Sequence, residues 1–183
     1  MLDGAFAIVR ESGPDALTAR ALAGGLGCSV KPIFDAYDSM EDLRHAVWER
    51  ADNLYNERLR AAMAEDAATP YKASGKAYVD FARDEPHLFR MLFMRAISPE
   101  EREAQEANVE PVLEVLMRQL HVDHETAQRF HFEVWTGVHG LATMVATGYA
   151  DPDDDLVERF LTDLFLGLRS VLREGQGGQH EHD

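Results

Sequence analysis

Apolar side chains recur along this chain at intervals of three and four, and nowhere do they alternate one by one over the length of a strand. That period predicts helices throughout. Phe6, Ala7 and Val9 mark a short first helix that stops at Ser12-Gly13, where glycine suits a helix C-terminus. Thr18 stands as N-cap for a helix over 19–25, and Ser29 as N-cap for another through residue 36. Ser39, with Asp42 three residues on, opens a capped helix that runs unbroken to about residue 65, where Thr69-Pro70 prevents continuation. Further helices are predicted over 71–83, 86–94, 100–119, 124–147 and 153–173, each bounded by proline, glycine or an acidic first turn. The chain is therefore expected to be all-α.

The last of these helices carries more apolar surface than one neighbour can cover. Leu156, Phe160, Leu164, Leu168 and Leu172 follow at steps of four, flanked by Val157, Leu161 and Phe165. The preceding helix supplies Gly137, Gly140 and Gly148, small enough for close helix approach. Together they predict a homodimer through a four-helix bundle, with Leu164, Leu168 and Gly140 in the interface. The Gly-rich, polar end over 175–183 is expected to be disordered.

Composition narrows the class. At 183 residues with 45% hydrophobic content the chain can bury a sizeable core. No apolar run reaches the ~18 residues of a membrane span, so no membrane partner is expected. The start carries Asp3 and no basic stretch, unlike a secretory leader, and the single cysteine excludes an internal disulfide, which fits a cytoplasmic protein. Cys28 is expected as a small buried thiol rather than a redox sensor. The net charge of −15 repels phosphate backbones at long range, so any nucleic-acid site must be local.

Such a site is suggested near the start. Two short helices around a tight corner containing Gly27 form the pattern of a helix-turn-helix, whose second helix enters the major groove of DNA. The run A-x-x-I-V-x-E-S-G-x-x-x-L-T-A-R-A-L-A-x-x-L-G-C-S, followed by P-I-F-D-A-Y-D-S-M-E-D-L, resembles the N-terminal domain of the TetR family of transcriptional regulators. Far downstream, VWTGVHGLATMVATG, with Trp135, His139 and Gly140, resembles the ligand-binding half of the TetR-family members with a Trp-x-x-x-His-Gly signature. The resemblance implies a three-helix DNA-binding domain over 1–47, then a larger helical effector-binding and dimerisation domain over 48–174. It implies a regulator, a repressor by expectation and not an enzyme, that leaves double-stranded operator DNA when a small-molecule effector binds.

Thr18, Arg20, Ser29, Val30, Lys31, Pro32 and Tyr37 are the DNA-binding candidates. Thr18 at a helix N-terminus can bond a phosphate or simply cap the helix; Arg20 and Lys31 are the cationic contacts; Val30 suits a thymine methyl. Pro32 fits a first helical turn without losing a hydrogen bond, and Tyr37 can pack or touch phosphate. The family's usual recognition-helix Tyr is here Phe34, and its usual Lys after the second corner is Met40. Residues 1–47 hold four basic side chains, Arg10, Arg20, Lys31 and Arg44, against seven acids, which predicts salt-sensitive binding. Leu22, Leu26 and Ile33 are expected in the core.

Phe81, Phe89, Phe93, His131, Trp135, His139 and Met144 are the effector-pocket candidates, with the histidines read either as polar handles or as partnered core residues. An alternative from another class is a helical metal-binding protein or metalloenzyme using His121, His124, His131 and His139. No metal-ligand signature supports it, no catalytic residue is nominated, and no metal or cofactor is called for.

Overall fold

The computed structural model describes residues 1–96 and 98–177. Within them the chain forms nine α-helices: α1 Leu2–Ser12, α2 Ala19–Leu26, α3 Lys31–Ala36, α4 Met40–Glu65, α5 Pro70–Asp84, α6 Pro86–Phe93, α7 Pro99–Leu120, α8 His124–Ala146 and α9 Asp154–Gly177. No strand occurs among the described residues, and no helix among them is long and apolar enough to cross a membrane.

The boundaries follow local chemistry. Gly13 leaves α1 at φ 85° and lets a single 3-10 turn, Pro14–Ala16, redirect the chain, an element the periodicity did not announce. Thr18 Oγ1 accepts from Ala21 N at 3.1 Å to open α2, and Gly27 closes it in the left-handed region. Ser39 Oγ accepts from Asp42 N at 3.1 Å at the head of α4. Prolines stand in the first turns of α5, α6 and α7, where their missing N–H costs nothing, and Ser98 with Glu101 makes a reciprocal capping box. α9 continues through Gly177, taking three residues from the expected tail; 178–183 lie outside the described residues.

One hydrophobic cluster runs from end to end. Ala5, Phe6, Val9, Leu22, Ile33 and Leu43 fill the space among the first helices, while Val79, Phe81, Leu88, Phe89, Leu92 and Leu116 fill the larger bundle. α4 belongs to both, crossing the boundary expected at residue 47. Two expectations fail locally: Leu26 is 42% exposed, leaning on Gly4 of α1, and Cys28 is exposed because Gly27 turns the chain outward at the corner.

Candidate functional site

In the first three helices, Thr18, Arg20, Ser29, Val30 and Lys31 are all exposed. Ser29 does not cap its helix: α3 starts at Lys31, Val30 occupies the cap position and no side chain bonds the free N–H groups there. Six residues remain to serve as the second helix of the helix-turn-helix. Pro32 is half-buried in its first turn, and Phe34, half exposed, offers an apolar ring where a hydroxyl was expected. Tyr37 is half-buried and packs on the core. Arg10 is held by Glu85 and Arg44 bonds Glu41 and the Leu17 carbonyl, which leaves Arg20 and Lys31 as the basic residues of this region with no ion pair among the described residues.

A buried carboxylate ties the first helix to the larger bundle. Glu85, 2% exposed at the α5–α6 junction, accepts from Arg10 Nε of α1 at 2.7 Å and from Arg58 of α4 at 2.9 Å. Nearby, Arg50 of α4 pairs with Asp3 of α1 and lies 4.6 Å over the Phe6 ring. α1, α4 and α6 thus share charge as well as apolar contact.

A cavity of about 1060 Å³ opens among α4, α5, α7, α8 and α9. Phe93, His131 and Trp135, three of the pocket candidates, line it. Phe81 and Phe89 do not; both are fully buried core residues, with the Tyr55 ring of α4 packed on Phe81 at 5.4 Å and the Tyr78 ring on Phe89 at 5.2 Å. His139 stands behind the wall, stacked on Trp135 at 4.8 Å. Met144 points out of the bundle, one turn past exposed Gly140.

Apart from His131, the cavity's polar groups are ones that sequence reasoning missed. Asp52 and Asn56 of α4 lie in the buried stripe that runs from Leu43 to Leu59, and polar residues in an apolar register were the available signal. Asp52 Oδ2 accepts from Asn56 Nδ2 and from Asn108 Nδ2, each at 3.0 Å, while burial raises the carboxyl above its usual range against those two bonds. Tyr55, Tyr71 and Tyr78 are pushed up by burial and remain phenols. The Tyr71 hydroxyl meets His131 Nδ1 at 3.1 Å, and the Tyr78 hydroxyl meets His139 Nδ1 at 2.9 Å. Burial lowers His131 to about 4 and lowers His139 as well, so both rings are neutral near pH 7.

These pairings scatter the histidines. His124 bonds Glu110 at 3.1 Å, His121 turns α7 off in the left-handed region, and no three His, Cys, Asp or Glu side chains converge among the described residues. The metal reading has no geometry behind it there.

Along α9, Leu156, Gly167 and Val171 are exposed in one helical register with half-exposed Phe160 and Leu164, and on α8 Gly140 and Met144 are exposed. Leu164 and Leu168 are only half-exposed, packed on their own chain. Gly137 serves α8 and α9 of the same chain, since a Cβ there would come within 2.8 Å of Leu164 Cδ2.

Residues 71–164 match a family model described as the tetracyclin repressor-like C-terminal domain. The chain is 31% identical over 186 residues to an uncharacterised HTH-type transcriptional regulator of Mycobacterium tuberculosis, covering 97% of this chain and 83% of that one. Its fold is similar to that of a TetR-family transcriptional regulator from Vibrio parahaemolyticus, with a TM-score of 0.64 and 18% identity over 91% of this chain and 94% of that one.

Proposed function

Since the chain belongs to the TetR family of transcriptional regulators, we propose that it is a cytoplasmic repressor whose head, residues 1–47, holds operator DNA until a small molecule enters the cavity of the body, residues 48–174. One observation carries this reading: a single helix serves both ends. Leu43 and Val47 of α4 are buried under the head, and Asp52, Tyr55, Asn56 and Leu59 of the same helix line the cavity. A ligand releases DNA only by binding one arrangement of the heads better than the other, and a ligand seated on α4 acts on the element that sets that arrangement. A two-fold dimer through the outer stripe of α8 and α9 places two heads on one duplex, and a two-fold reader takes a roughly palindromic site.

The wall residue Trp135 tests the sensing half. Trp135→Ala is expected to weaken release by effector while operator binding by the empty protein stays close to that of the unsubstituted chain. Loss of both together assigns Trp135 to the core and removes this cavity from the account.

A further inference from the structure

Asp52 is 8% exposed, lies on the cavity wall and has no cationic side chain bonded to it. Both asparagine amides converge on Oδ2, so among the described residues Oδ1 has no hydrogen-bond partner. Oδ1 is also absent from the fully buried orphan atoms, among which Trp48 Nε1 stands alone in the described residues; it is therefore accessible, and the cavity is what Asp52 borders. Of the basic side chains on the same lining, Lys72 is half-exposed and held by Glu158 at 3.2 Å, Arg102 is exposed and Arg169 is half-exposed; none bonds Asp52, which feels the charge of Arg60 on its own helix only through space. Around Asp52 the wall is aromatic. Tyr55, Tyr78 and Phe93 meet with ring centroids 5.0 to 5.7 Å apart, and Trp135 lies on the facing helix.

A buried carboxylate with an open oxygen, in a cavity lined by aromatic rings, is complementary to a positive charge that brings its own N–H donors. Resting on the reading of this cavity as the effector site, we propose that its ligand is a protonated amine on an apolar body, with the ammonium donating to Asp52 Oδ1 and the body packed on Tyr55, Phe93 and Trp135. Burial holds the Asp52 carboxyl above its usual range; an arriving ammonium draws it back toward the ionised form. Because Asp52 is on α4, the charge contact falls on the helix that enters the head.

Calorimetry on the full chain with diphenylpropylamine, its N-acetyl derivative and diphenylbutanoate tests the charge with the body held nearly constant. The amine is expected to bind at least about tenfold tighter than the acetamide, and the carboxylate most weakly. Asp52→Asn keeps the shape and removes the charge; it is expected to cost the amine about tenfold or more and to change the acetamide by less than about threefold. An acetamide or carboxylate that binds the unsubstituted chain as tightly as the amine overturns the inference, with no variant needed. So does an amine preference that survives Asp52→Asn, or no binding of the amine at all. Acetamide binding that Trp135→Ala abolishes, without any advantage for the amine, overturns the cation alone and leaves the cavity a ligand site.

Discussion

Glu85→Gln is the sharpest test of how head and body are joined. The substitution preserves shape and removes the negative charge that Arg10 and Arg58 share. Breaking a buried ion pair costs about 3–5 kcal/mol when the surviving charge stays buried. Here the survivors are the arginines, 52% and 34% exposed, and water takes back most of what they lose, so the expected cost falls to about 2 kcal/mol. For a chain of this size that is a fall in Tm of about 4–8 °C. Arg10→Met is expected to cost less than about 1 kcal/mol, because Glu85 keeps Arg58 and stays paired. Calorimetric melts of the three proteins at one salt and one protein concentration supply the comparison. An unchanged melt for Glu85→Gln, or a larger loss for Arg10→Met than for Glu85→Gln, refutes the claim that the buried carboxylate is the hub. Empty Glu85→Gln should also hold operator DNA less tightly, since α1 is freed from the α5–α6 junction.

Three further outcomes are expected. His131 is lowered in the folded protein to about 4, so the unfolded chain binds the extra proton between that value and about 6.5; stability is complete above this window and is lost as pH falls through it, by roughly 2 kcal/mol at pH 5, and His131→Gln should flatten that slope in denaturant melts at pH 7 and pH 5. Lys31→Ala should weaken operator binding and lower its salt slope by about one if the ammonium meets a phosphate, or relax one base preference if it reads an edge; unchanged binding at low and high salt removes Lys31 from the interface. Leu156→Glu with Val171→Glu changes side chains already exposed in the single chain, so each chain should fold; light scattering should nevertheless show monomers, since each leucine-sized burial is worth about 1.5–3 kcal/mol and acts twice in a dimer. A stable double-variant dimer places the interface elsewhere.

Helix positions were legible because the signals that set them are local: Thr18, Ser39, Gly13, Gly27 and the prolines act on neighbours a few residues away. The failures are of another kind. Ser29 has the right chemistry for a cap, but the turn after Gly27 places Val30 at the helix start. Phe81, Phe89 and Phe93 share one apolar pattern, and only tertiary packing decides that the first two are sealed in the core and the third faces the cavity. Leu164 and Leu168 shared a face by spacing, yet how far α8 covers that face depends on Gly137, which no single-helix pattern contains. Asp52 and Asn56 were visible as polar residues in an apolar register; their link to Asn108, 56 residues after Asp52, belongs to tertiary structure.

Selection of genomic fragments on the full chain, followed by footprinting of the enriched fragment, tests the central claim most directly. A protected, roughly palindromic site is expected, with half-sites about one helical turn or a small multiple apart, bound by two chains and weakened steeply by salt. A chain that enriches no fragment over bulk competitor at low salt contradicts it.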